Sequence, residues 1–194
     1  MAADLPFDPA RRRLLGAAGA LATTYLIGGC EVKTTPEDAR ARGATLAVLT
    51  AAEAATLDAL ADFFVPGARD LGLAQFIDAE LAAPPERQVL MIKYLGVAPP
   101  FLDFYRGGLA GLDAAARADG NKQFAALDDS ARTRILTSAA SGANLPGWEG
   151  PPAPFFSFVL RNDAIDVVYG HPQGFEKLGV PYMPHILPPT PWPS

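Results

Sequence analysis

From Leu49 onward, apolar positions recur at three- and four-residue spacing, the pattern of helices that bury one face. Thr50-Ala51-Ala52-Glu53 opens the first of these as a capping box: the Thr hydroxyl can accept the N3 amide while the Glu carboxylate reaches back. Leu57, Leu60, Ala61 and Phe64 follow on one face, and Pro66-Gly67 stops the run. Leu73, Phe76, Ile77 and Leu81 predict a second helix ending before Pro84-Pro85, and a third stretch runs from about Glu86 to Leu95. Pro99-Pro100 leads into a helix carrying Phe101, Leu102, Tyr105, Leu109 and Leu112. Gly107-Gly108 inside it costs about 1 kcal/mol per Gly against Ala, which predicts a kink or a close helix crossing. Asp128 is a good N-cap for a helix through Ile135 and Leu136. After a Gly/Pro loop at 142–154 containing Trp148, Phe155, Phe158, Val159, Ile165 and Tyr169 mark a last helix closed by Gly170. No stretch alternates as a strand should, and no repeat of fixed period is present. The pattern predicts an all-α chain: one compact helical domain with an extended, proline-rich C-terminal segment.

The first thirty residues have a different texture. Arg11-Arg12-Arg13 precedes a mildly apolar run from Leu14 to Ile27, followed by Gly28-Gly29-Cys30. That run has fourteen residues, against about twenty for a spanning helix, so it reads as a signal segment rather than a stable anchor. The arginine pair Arg11-Arg12 predicts export by the twin-arginine route, which carries proteins that fold before they cross the membrane. Cys30 is the single cysteine of the chain and falls where a lipoprotein cleavage site would place it. The expected organisation is a signal over residues 1–29, lipidation at Cys30, a polar tether over 30–48, and the helical domain over 49–194 with its Pro-rich tail from 170. An A-x-A sequence at Ala39-Arg40-Ala41 lies too far beyond the apolar run to be the better cleavage site. The plain alternative is a basic patch before a buried helix. The expected location is the periplasmic side of the cell envelope, held to the membrane by two acyl chains on Cys30.

Removing residues 1–29 leaves 165 of 194 residues, the size of a single domain. The removed part carries three Arg and two Asp, so the net charge moves from −5 to −6, which speaks against nucleic acid. One cysteine excludes a disulfide framework and thiolate metal sites.

Candidate chemistry is sparse. No G-x-G-x-x-G follows a strand, and no C-x-x-C-H is present, so neither a dinucleotide site nor covalent haem is expected in this chain. His171 and His185 make a poor metal pair and read as loop histidines that cap a turn or contact a partner. Asp128-Asp129 reads as a helix start, and Asp62 and Asp78 as caps or solvent-facing groups. Ser138, Ser141 and Ser157 lack a nucleophile-elbow context. No catalytic, cofactor-binding or metal-binding residue is expected. The last twenty-five residues hold seven prolines and are expected to form no helix. They carry Phe175, Tyr182, Met183 and Trp192 on a stiffened strip, which suits either a partner interface or a wrap over the chain's own core.

The chain resembles the gluconate 2-dehydrogenase subunit 3 family from about Leu49 to Pro184. The resemblance is carried by Leu49-Thr50-Ala51-Ala52-Glu53-Ala54-Ala55-Thr56-Leu57, Leu60-Ala61-Asp62, Pro66-Gly67 and Phe76-Ile77-Asp78. It continues through Gly108-Leu109-Ala110-Gly111-Leu112-Asp113-Ala114-Ala115-Ala116-Arg117, Phe124-Ala125-Ala126-Leu127, Arg134-Ile135-Leu136, Tyr169-Gly170 and Gly179-Val180-Pro181. The ending departs from the family: Gly170-His171-Pro172-Gln173-Gly174-Phe175 is shorter than usual, and Gly179-Val180-Pro181-Tyr182 stands where a Gly-Tyr-Pro-Gly ending is common. The resemblance implies a non-catalytic small subunit of an exported dehydrogenase. Its large partner would be a glucose-methanol-choline type flavoprotein that binds FAD and oxidises a sugar or alcohol. A cytochrome c subunit carrying haem c would accept the electrons. The small subunit would lend its export signal and support folding of the flavoprotein. Two other readings stay open: a free-standing envelope lipoprotein acting as a binding or scaffold module, and an enzyme using the histidines.

Overall fold

The computed structural model describes residues 22–120 and 122–179. Within them the chain forms a two-stranded hairpin and seven α-helices. The strands are β1 (Thr23–Ile27) and β2 (Cys30–Thr34). The helices are α1 (Pro36–Ala41), α2 (Ala51–Phe64), α3 (Leu73–Ala82), α4 (Leu102–Gly120), α5 (Asp129–Ser141), α6 (Ala153–Tyr169) and α7 (Pro172–Lys177). The fold is helical, as the periodicity predicts, with 3-10 turns at Met91–Leu95 and Phe124–Ala126.

Local chemistry sets most helix starts. At α2 the Thr50 Oγ1 accepts from the Glu53 amide (3.2 Å) and the Thr50 amide donates to the Glu53 carboxylate (2.7 Å), closing the capping box. Asp128 caps α5 by accepting from the Ala131 amide (2.9 Å). α6 is the hub: it touches α2, α3, α4, α5 and α7, and it buries Phe156, Val159, Leu160, Ala164, Val167 and Val168. The crossing of α4 over α6 depends on glycine. A Cβ at Gly108 would lie 2.2 Å from the Phe156 ring, and one at Gly111 would lie 2.6 Å from the Trp148 indole. The Gly107-Gly108 pair therefore serves a close crossing. Trp148 is fixed over it by its indole N–H, which donates to the Pro151 carbonyl (2.8 Å).

Three segments differ from the periodicity-based expectation. First, residues 23–34 form an antiparallel hairpin inside a region that reads as signal and tether. Its turn is Gly28-Gly29, with φ of 59° and 82°, the left-handed pair a two-residue hairpin turn requires. Second, residues 30–48 are packed on the domain rather than extended from it. Thr35 caps α1 with Pro36 at its first position, Ala39 is buried, and Arg40 pairs with Asp58 of α2 at 2.7 Å. Third, the Glu86–Leu95 stretch forms only a 3-10 turn. Its backbone donors are taken by side chains from elsewhere: the Val89 amide donates to Glu80 (2.7 Å) and the Met91 amide to Asp163 (2.8 Å).

The proline-rich tail also begins with a short helix. Pro172 sits at the first position of α7, where its missing N–H would have had no helical partner.

Candidate partner interface

The buried carboxylates show how this chain spends its acidic residues. Asp163 on α6 is 0% exposed. It accepts from the Tyr105 hydroxyl (2.6 Å) and the Met91 amide (2.8 Å), joining α4, α6 and the 3-10 turn. Burial pushes its carboxyl up to about 7, although both hydrogen bonds favour the charged form. Burial, and then the neighbouring Asp163, raise the Tyr105 hydroxyl well above its ordinary range. Burial also raises Glu80, which holds the Val89 amide. Asp78 on α3 accepts from the amides of Ala47 (2.7 Å), Val48 (3.0 Å) and Leu49 (2.8 Å), pinning the segment before α2. Each carboxylate clamps a connection between elements, and Asp163 is out of reach of any dissolved substrate.

The remaining polar candidates also act locally. His171 caps α7, its Nδ1 accepting from the Gly174 amide (3.2 Å). Asp62 accepts from the Gly67 and Arg69 amides and shapes the turn after α2. Ser157 is buried on α6. Among the described residues, no three His, Cys, Asp or Glu are grouped to hold a metal ion. Among them, too, no helix is long and apolar enough to cross a membrane.

The surface offers something different from these clamps. Phe63 at the end of α2 is 39% exposed and Phe158 near the start of α6 is 48% exposed. They line a groove of about 460 Å³ with Phe64, Ala140, Pro154, Ser157 and Arg161. Phe63 and Phe64 meet edge to face with ring centroids 5.3 Å apart. A groove carrying large aromatic surface is the kind of feature that meets another protein. Phe158 fits the helical spacing and reads as core in the sequence. It faces outward because α6 already buries Phe156, Val159 and Leu160 around it. Phe63 carries no periodic signal that separates it from its neighbour Phe64.

Of the residues singled out from the sequence, Phe175 lies half-buried on α7. Cys30 is an exposed free thiol at the first position of β2. Arg11, Arg12, Tyr182, Met183 and Trp192 lie outside the described residues, as does His185.

The sequence pattern that defines gluconate 2-dehydrogenase subunit 3 matches residues 51–188, most of the chain. The chain belongs to the gluconate 2-dehydrogenase subunit 3 family. Members of this family are, by its name, one subunit of a dehydrogenase, so partner subunits in a complex follow. No curated protein and no solved structure matches the chain. The matched region begins with α2, so the hairpin and α1 precede the family's shared part.

Proposed function

We propose that this member of the family is a non-catalytic small subunit of an exported, FAD-dependent dehydrogenase of the glucose-methanol-choline type. FAD belongs to the large subunit, which oxidises a sugar or alcohol, and a cytochrome c subunit takes the electrons onward. This chain supplies the twin-arginine signal through Arg11 and Arg12 and supports assembly of the flavoprotein on the periplasmic side of the envelope. The family match carries the reading. Two features of the chain support it. The buried carboxylates are engaged as structural clamps. The Phe63–Phe158 groove exposes aromatic surface that a large partner would cover. On this reading the large subunit docks over that groove, and the tail residues Phe175, Tyr182, Met183 and Trp192 extend the contact.

The test is export in the native host. Arg11→Lys combined with Arg12→Lys should leave both this chain and the large flavoprotein in the cytoplasm on fractionation. A flavoprotein that still reaches the envelope would show that it does not depend on this signal.

A further inference from the structure

We infer that the export signal is cut between Ala22 and Thr23, so that the mature chain begins with β1 and keeps Cys30 as an internal thiol. The inference rests on the export reading and goes further, to the bond that is hydrolysed.

The first observation is the hairpin. A cut before Cys30 would separate β1 from β2 and destroy all five strand pairs, from Thr23 with Thr34 to Ile27 with Cys30. The Gly29–Cys30 bond lies at the hairpin turn, where Gly28 and Gly29 both take left-handed φ. A signal peptidase needs an extended, accessible strand of chain. The twin-arginine route delivers a chain that has already folded, so although Gly29 and Cys30 are exposed at the turn, a cut there would strip one strand from a finished sheet.

The second observation is that β1 belongs to the domain. Tyr25 is only 4% exposed, and the Leu26 carbonyl accepts from the Thr45 amide at 2.8 Å. The chain then runs straight into α1. A Cβ at Gly72, just before α3, would fall 2.4 Å from the Pro36 carbonyl oxygen, so α1 is seated against α3 too closely for any side chain there. Losing β1 would uncover Tyr25's site and leave β2 without its partner strand.

The third observation is in the sequence. Ala20-Leu21-Ala22 is an A-x-A site, with small residues at both recognised positions, directly before the first residue of β1. It lies inside the apolar run from Leu14 to Ile27, and the nine residues from Leu14 to Ala22 fall within the 7–15 usual before such a site. The Ala22–Thr23 bond thus immediately precedes β1. Its hydrolysis consumes one water, giving a carboxylate on Ala22 and a free α-amino group on Thr23.

The test uses the full chain expressed in a bacterium with a working twin-arginine system. The envelope fraction is analysed by N-terminal sequencing and intact mass, for the wild type and for Cys30→Ser. The expected result is a chain starting at Thr23 without acyl mass, processed identically in Cys30→Ser. Ala22→Asp should leave the precursor uncut. A mature chain starting at Cys30 with diacylglyceryl mass, or an uncut Cys30→Ser precursor, would overturn the inference while leaving export intact. An envelope-located chain with any other N-terminus would also overturn it alone. A wild-type chain held uncut in the cytoplasm would overturn both this inference and the export reading.

Discussion

At the scale of single residues, Asp163 is the most consequential side chain in the domain. An acid in an unfolded chain has an ordinary value of 3.8, whereas burial holds this one at about 7. Between those values the folded chain keeps a proton that the unfolded chain gives up. Stability therefore falls as pH rises from about 4 to about 7, by at most ~1.4 kcal/mol per pH unit from this group, and levels off above. Burial raises Glu80 and Asp166 as well, so their contributions carry the same sign. Asp163→Asn mimics the protonated acid and keeps groups that can meet the Tyr105 hydroxyl and the Met91 amide. Urea unfolding at pH 5 and pH 7 should show a clear loss of stability in the wild type and a flatter profile in the variant. Equal slopes in the two proteins would mean that Asp163 is ionised in the fold throughout.

At the scale of elements, the segment before α2 is held by polar groups as well as by Leu49, which joins the core. Asp78 alone receives three consecutive backbone amides. Asp78→Ala removes the two oxygens that accept all three amides, at a residue only 3% exposed, and should cost about 2–4 kcal/mol. Faster hydrogen exchange at the amides of residues 47–49 would accompany the loss. An unchanged unfolding midpoint would show that water replaces the carboxylate at no cost. The same elements show what the sequence can convey. The Thr50–Glu53 box and the Asp128 cap are legible because donor and acceptor lie within three residues of each other. The fate of Glu86–Leu95 is not, because the acceptor for the Met91 amide lies 72 residues away on α6. The hairpin hides for another reason. Gly28-Gly29 between Thr23–Ile27 and Cys30–Thr34 is a hairpin signal, but the preceding arginines and apolar run give the same residues the look of a signal's end. Phe158 is legible as apolar and helical, yet its outward direction depends on how many sides of α6 are covered.

At the scale of the whole molecule, the domain is a set of helices around α6 that leaves aromatic surface open at Phe63 and Phe158. Phe158→Glu should change the stability of the isolated chain by no more than about 1 kcal/mol, because the residue is 48% exposed and lies outside the buried core. Placed at the centre of a partner contact, the same change should cost on the order of 2 kcal/mol of binding, or about thirty-fold in affinity. Unaltered affinity would move the interface elsewhere, with the tail beyond Gly179 the next segment to remove. The central claim is that this chain assists a flavoprotein and carries no flavin itself. Its most direct test is the visible absorption spectrum of each subunit after the tagged full chain is purified from the native host's envelope and its complex is separated. A large dehydrogenase subunit should co-purify in fixed ratio and hold all the flavin absorbance, while this chain is colourless. Flavin absorbance on this chain, or a chain that comes from the envelope without a dehydrogenase subunit, would contradict it.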